Sequence, residues 1–216
     1  ATIVLGTETT TLDAAGEVTA VHDMSGVVQD DVWRAARQLT GDIEQVPPMF
    51  SAVKVGGRRL HEIAREGGEV ERAPRPVTVH RFDVTPTADP QVWKADVECS
   101  SGTYVRTLAA DLGTSLGGGA HLTGLRRLSV GSFTIDGARS MDSPELLPPA
   151  AGVRHLTGLV VDAELAVDVG YGKVLDRQRL GTEGDGPWAV HDADGILLAV
   201  SEPYEDRTKP AVVLVG

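Results

Sequence analysis

The sequence predicts an α+β domain followed by a small all-β module, and three observations carry that prediction. Trp93, Ala95, Val97 and Cys99 alternate with Lys94, Asp96 and Glu98, the two-residue period of a half-buried strand. Val32, Ala35, Ala36 and Leu39 recur at i, i+3, i+4 and i+7, the period of a helix with one apolar face. After about Met141 the composition shifts: Pro144, Pro148, Pro149 and Gly152 read as a linker, and the strands beyond it are short and joined by turn residues. The domains expected are residues 1–145 and 155–216. The second, of roughly 60 residues, is near the lower size for independent folding.

The elements follow in order. The chain opens in Thr2-Ile3-Val4-Leu5, a β-branched apolar run. A strand with no turn before it, and no methionine at position 1, reads as the interior of a longer protein. Gly16 to His22 is a second short strand. Asp30 or Asp31 caps the helix through Leu39, which Gly41 ends. Gln45-Val46-Pro47-Pro48 cannot be helical, because each proline removes a donor and restricts its predecessor. A short helix is expected from Arg58 to Glu66, with Leu60, Ile63 and Ala64 on one face and Gly67-Gly68 as its stop. Ser100-Ser101-Gly102 turns into a helix bearing Val105, Leu108, Ala109 and Leu112, and Gly117-Gly118-Gly119 follows it as a flexible loop. Trp188 to His191 and Ile196 to Val200 flank Asp192-Ala193-Asp194-Gly195, a hairpin signal, and Ala211 to Val215 is a further strand.

Composition excludes several classes. Of 216 residues, 41% are hydrophobic and 24% charged, too apolar for a disordered chain. The longest apolar runs, Ile196 to Val200 and Ala211 to Val215, fall far short of the ~18 residues of a membrane span. No secretory signal opens the chain. The single cysteine, Cys99, excludes a disulfide framework and a multi-cysteine zinc site. His61-Glu62 begins a zinc-type pair, but Arg65 stands where the second histidine would be. The reading is a soluble, cytoplasmic protein.

With 20 basic and 31 acidic residues the net charge is -11, which on average opposes a nucleic-acid partner. The distribution differs. Residues 54–140 carry 12 basic and 10 acidic side chains, whereas both flanks are strongly acidic. Lys54, Arg58, Arg59, Arg65, Arg72, Arg75 and Arg81 cluster there, among four glutamates. A solvated charged surface and a phosphate-binding surface are both compatible with this pattern.

Two stretches carry more. Gln45-Val46-Pro47-Pro48-Met49-Phe50-Ser51-Ala52-Val53-Lys54-Val55-Gly56-Gly57 runs into Arg58-Arg59-Leu60-His61-Glu62-Ile63-Ala64-Arg65-Glu66-Gly67. Later come Cys99-Ser100-Ser101-Gly102-Thr103-Tyr104-Val105-Arg106, Asp111-Leu112-Gly113, Gly119-Ala120-His121-Leu122 and Leu125-Arg126-Arg127-Leu128. In this order and spacing, over residues 1–140, they closely resemble the bacterial tRNA pseudouridine synthase B family. The resemblance implies a pseudouridine synthase fold, incomplete here: a mixed, largely antiparallel sheet with flanking helices. The C-terminal module resembles, more loosely, a small PUA-like RNA-binding barrel.

The function implied is isomerisation of the T-loop uridine at tRNA position 55, by base flipping and covalent catalysis by an aspartate. That aspartate belongs to a Gly-His-Thr-Gly-x-Leu-Asp-Pro motif, which none of the 216 residues carries. The resemblance places it, and a tyrosine that stacks on the target base, before Ala1, so this chain by itself is expected to be inactive. Leu12-Asp13 mimics the motif, but Gly6 and Gly16 around it match the later segment Leu-Gly-x-x-Thr-x-Thr-x-Asp-x-x-Gly, whose aspartate is a substrate-side residue.

Residue by residue, Arg106 matches the arginine that pairs with the catalytic aspartate, though a surface arginine on a helix would look the same. Tyr104 matches a tyrosine of the uracil pocket, or else belongs to the core. Leu125 matches an apolar wall of that pocket, or is a core leucine. Asp13 either hydrogen-bonds the flipped nucleotide or forms a turn. Lys54, Arg58 and Arg59 belong to an insertion that closes over RNA; the segment from Lys54 to Arg75 is expected to be mobile without it. His61 stands where many relatives have an aromatic. The implied partner is the tRNA T arm, bound by a monomer with no membrane, no metal and no organic cofactor. A non-catalytic RNA-binding module is the alternative, because the aspartate motif is absent. An acidic protein-interaction module would leave both motif stretches unexplained.

Overall fold

The computed structural model describes residues 1–214 and divides into two compact units, Ala1–Arg126 and Arg127–Gly216. The first unit runs β1 (Thr2–Leu5), β2 (Thr7–Thr9), β3 (Val18–Val21), α1 (Gln29–Gln38), β4 (Gly41–Gln45), β5 (Lys54–Val55), β6 (Arg58–Arg59), α2 (Leu60–Arg65), β7 (Arg75–Pro86), β8 (Val92–Cys99), α3 (Val105–Ser115) and β9 (Ala120–Gly124).

Five of these strands form one sheet in the order β4-β7-β8-β1-β9, every neighbouring pair antiparallel. Register puts Ile3 opposite Trp93 and Val84 opposite Ala95, so the apolar residues share one face. Helices α1 and α3 cover that face with Val32, Ala35 and Ala36 and with Leu108, Ala109 and Leu112, all buried. Each large aliphatic side chain so buried contributes about 1.5–3 kcal/mol. Lys94, Asp96 and Glu98 point to the opposite, exposed face, as the alternation requires.

Three local readings change. Helix α1 begins at Gln29, so Asp30 and Asp31 lie in its first turn; the Val28 amide donates to the Asp31 carboxylate, and both acids sit at the positive end of the helix dipole. The helix stops at Gln38, and Gly41, at φ +104°, opens β4 instead. The helix expected from Arg58 is confined to Leu60–Arg65, because Gly56 and Gly57 both take positive φ and fold Lys54 back onto Arg59 as a tight hairpin. Leu60 is fully buried, and the His61 amide donates to the Ser51 carbonyl, whose other contact is His61 Nδ1, so this segment is anchored at its centre. The longest strand, β7, has little legible period, because a bulge between Val79 and Arg81 shifts its register and prolines sit near both ends.

The glycine loop after α3 is a close-packed contact. A Cβ on Gly113, inside α3, would run into the backbone of Gly119 and Ala120. An exposed mid-helix Gly→Ala change normally stabilises by ~0.5–1 kcal/mol. Gly113→Ala is expected to do the reverse, lowering stability by about 1–3 kcal/mol through overpacking, as thermal or urea denaturation would show.

The second unit runs β10 (Ser129–Val130), β11 (Phe133–Thr134), β12 (Thr157–Val160), α4 (Ala163–Gly170), β13 (Leu175–Asp176), α5 (Arg177–Leu180), β14 (Trp188–His191), β15 (Leu197–Tyr204) and β16 (Arg207–Val213). Its five-stranded sheet has the order β12-β14-β15-β16-β13, parallel only between β12 and β14. Strand β16 ends at Val213, and Val215, expected at the strand end, lies outside the described residues. The unit is therefore mainly β but not all-β. Helix α4 is too short for its period to stand out: Asp162 caps it through the Leu165 amide, and Val169 buries against Val190 and Ala199. Together the units form a mixed, largely antiparallel α+β structure. No helix among the described residues is long and apolar enough to cross a membrane.

Candidate functional site

The site is assembled at the ends of three elements in the first unit. The loop from β2 to β3 is laid along β9: the Leu122 amide donates to the Leu12 carbonyl (3.1 Å) and the Ala14 amide to the Leu122 carbonyl (2.8 Å). Leu12 is held there at φ +61°, a conformation that costs a non-glycine residue about 1–2 kcal/mol. Asp13, the next residue, thereby turns its carboxylate toward the start of α3.

Asp13 Oδ1 accepts from the Thr11 hydroxyl (2.6 Å) and the Ala15 amide (3.1 Å), and Oδ2 accepts from Arg106 Nη1 (2.9 Å). Arg106, the second residue of α3, also donates from Nη1 to the Thr11 carbonyl (3.2 Å) and from Nη2 to the Phe50 carbonyl (2.8 Å). One guanidinium thus ties residues 11–13, 50 and 106 together. Its side chain is 26% exposed and that of Asp13 30%, so Arg106 is not a freely solvated surface arginine. Burial pushes the Asp13 carboxyl up. The Thr11 hydroxyl, the Ala15 amide and the Arg106 guanidinium outweigh that and hold it below the usual carboxylate range. Arg106 Nε–H and one Nη2–H have no partner among the described residues, so one edge of its fork is free to take a further acceptor.

Tyr104 stands at the N-cap of α3 with extended backbone, and the residue is half-buried. Gln45, at the end of β4 and only 2% exposed, clasps it: the Tyr104 amide donates to Gln45 Oε1 (2.8 Å) and Gln45 Nε2 donates to the Tyr104 carbonyl (3.2 Å). Leu125 directly follows β9 and is 61% exposed, which excludes the core alternative for it. Lys54, Arg58 and Arg59 are exposed on the β5–β6 hairpin, and no hydrogen bond joins them to the Arg106 cluster among the described residues. Arg58 is instead paired with Glu66 at 2.6 Å; a pair so exposed is weakened by water and salt and can yield to a phosphate.

Three participants were not legible as such. Gln45 was visible in its motif only as part of a non-helical stretch; a glutamine in an otherwise apolar, proline-bearing run was the one available sign of a buried polar role. Thr11 and the Phe50 carbonyl gave no sign, because they matter through their position. Asp111, on α3, is pushed up by burial. Among the described residues no group of three or more His, Cys, Asp or Glu could hold a metal ion.

Comparison with known proteins adds a family context. Residues 1–105 match the profile described as TruB family pseudouridylate synthase (N terminal domain), residues 106–149 the tRNA pseudouridylate synthase B C-terminal domain, and residues 158–215 tRNA Pseudouridine synthase II, C terminal. The chain is 42% identical over 224 residues to tRNA pseudouridine synthase B of Rhodococcus jostii (strain RHA1), spanning 99% of this chain and 72% of that protein. It is 41% identical over 224 residues to tRNA pseudouridine synthase B of Mycobacterium leprae (strain TN), spanning 99% and 70%. Among solved structures, a Cbf5-Nop10-Gar1 complex shares the fold with a TM-score of 0.61 at 21% identity, covering all of this chain and 64% of that one. An H/ACA RNP bound to a substrate RNA containing 2'-deoxyuridine gives a TM-score of 0.62 at 18% identity, covering all of this chain and 63% of that one.

Proposed function

The chain belongs to the TruB family of pseudouridine synthases, and from that premise we propose that it builds the Asp13–Arg106 side of a site that isomerises the T-loop uridine, position 55, of tRNA. The observation that carries this reading is the anchored guanidinium of Arg106 with part of its fork unused. A uridine must leave its stack to be reached, at a cost of a few kcal/mol, and needs a pocket to receive it. Tyr104 offers that base a ring face, and Leu125, an exposed leucine beside β9, offers an apolar wall.

Arg106 is assigned to hold the nucleophilic aspartate bidentately and ionised. Asp13 is not that nucleophile: both of its oxygens are occupied, and a carboxyl held below its usual range is a weak one. The residues 1–216 carry no Gly-His-Thr-Gly-x-Leu-Asp-Pro motif. Asp13 acts instead by fixing Arg106. The first unit serves as the catalytic part, and the second, resembling a PUA-type module, as an RNA-binding one. No cofactor step is required.

The test incubates unmodified tRNA with this 216-residue chain and, separately, with the complete gene product, and assays pseudouridine at position 55. Conversion by the complete product and none by the chain alone is expected. Product from the chain alone would make Asp13 the nucleophile, and none from the complete product would favour a non-catalytic RNA-binding protein.

The hairpin cations are assigned to phosphate contacts. Changing Arg58 and Arg59 together to alanine is expected to weaken tRNA binding and flatten the plot of log affinity against log salt by roughly one to two units. An unchanged slope would remove Arg58 and Arg59 from the interface.

A further inference from the structure

We infer that Gln45 is a positioning residue for the reaction: its buried amide clasps the Tyr104 backbone and so sets where Arg106 and the Phe50 carbonyl meet. This rests on the function proposed above. Gln45 is 2% exposed, and both polar atoms of its side chain are spent on one residue 59 positions away, Oε1 on the Tyr104 amide and Nε2 on the Tyr104 carbonyl. A buried amide in that geometry is costly to leave unpaired, so the two backbones are held in one relation.

Both backbones lead directly to the guanidinium. Tyr104 caps α3, and Arg106 is the second residue of that helix. Gln45 ends β4, and the chain continues through Pro47 and Pro48 to Phe50, whose carbonyl accepts from Arg106 Nη2. The prolines stiffen the five-residue path from the clasp to that carbonyl. The guanidinium is therefore gripped from its own helix and from the facing loop, and Gln45 is where the two are joined. Without the clasp, the start of α3 and the 46–50 loop move independently, and the fork no longer meets Asp13 and the carboxylate it is assigned to hold in register.

Two variants test this. Gln45→Met keeps the volume and removes both hydrogen bonds. Gln45→Glu is nearly isosteric, and when protonated it reproduces the Gln45 pattern, its O–H donating to the Tyr104 carbonyl; when ionised it sets a carboxylate against that carbonyl. In the complete gene product, at a temperature where each variant is folded, Gln45→Met is expected to lower kcat about tenfold or more while KM for tRNA stays within about twofold. Gln45→Glu is expected to approach wild-type kcat toward acid pH and to fall to the Gln45→Met level as pH rises. In the 216-residue chain, NMR titration is expected to show the Asp13 midpoint raised by Gln45→Met, because Arg106 has moved. A kcat within about twofold of wild type for folded Gln45→Met, with the Asp13 midpoint unmoved, would reduce Gln45 to a stability role and overturn the inference. If the wild-type complete product forms no pseudouridine, the function proposed above fails, and the Asp13 midpoint alone decides whether Gln45 positions Arg106.

Discussion

Arg106→Ala is expected to lower pseudouridine formation by the complete gene product about a hundredfold, with tRNA affinity nearly unchanged. The magnitude follows from what Arg106 holds. Hydrogen bonds to charged groups contribute about 1.5–3 kcal/mol each, and breaking a fully buried ion pair costs ~3–5 kcal/mol. With a side chain 26% exposed, Arg106 belongs below the buried-pair range. A loss of about 2–3 kcal/mol in the transition state gives a factor of roughly 30–150 in rate. Arg106→Lys separates charge from geometry. A lysine keeps the positive charge but has no planar fork with which to reach the Thr11 and Phe50 carbonyls and a carboxylate together, so it is expected to recover little of the lost rate. Wild-type turnover in Arg106→Ala would reassign the residue to holding the 11–13 and 50 segments together.

Asp13→Asn is expected to destabilise the 216-residue chain at neutral pH and hardly at all in acid. The carboxyl is held below its unfolded value, so the stability it contributes is present above the ordinary aspartate pKa and is lost as pH falls through the folded one. Asparagine can still accept from the Thr11 hydroxyl and the Ala15 amide, but its other arm is an NH2 facing the Arg106 donors. The loss near pH 7 is expected to be about 1–2 kcal/mol, a fall in Tm of roughly 3–8 °C. Melting curves of both proteins should converge as pH falls below the ordinary aspartate range and through the lowered midpoint of the folded carboxyl. A gap in Tm that stays constant as pH is lowered from neutrality through and below the ordinary aspartate range would show that Asp13 acts by shape and not by charge.

Strand β8 and helices α1 and α3 were legible because their signals are local. The alternation from Trp93 to Cys99 gave β8, and the apolar faces of Val32 to Leu39 and Val105 to Leu112 gave α1 and α3, since a period of two or 3.6 states which side of an element is buried. Where a local signal was overridden, the cause was structure with no period. Two glycines at positive φ turned the start of an expected helix into the β5–β6 hairpin, a bulge hid β7, and α4 is a helix of eight residues.

The α+β class, the order of the main elements, the basic middle of an acidic chain and, through the motifs at 45–67 and 99–128, the family can all be read along the chain. The sequence also marked Arg106, Tyr104 and Asp13 as residues of interest. That Arg106 meets Asp13 across 93 positions and Phe50 across 56, that Gln45 is buried on the Tyr104 backbone, and that Leu125 lies exposed emerged from the folded chain alone. The physical reason lies in range. Side-chain period, turn chemistry and proline restriction act over a few residues and are written in any short window of sequence. The meeting of a loop, a strand end and a helix start depends on the register of β1 with β8 and β9 and on the packing of α3 against the sheet, which no window contains.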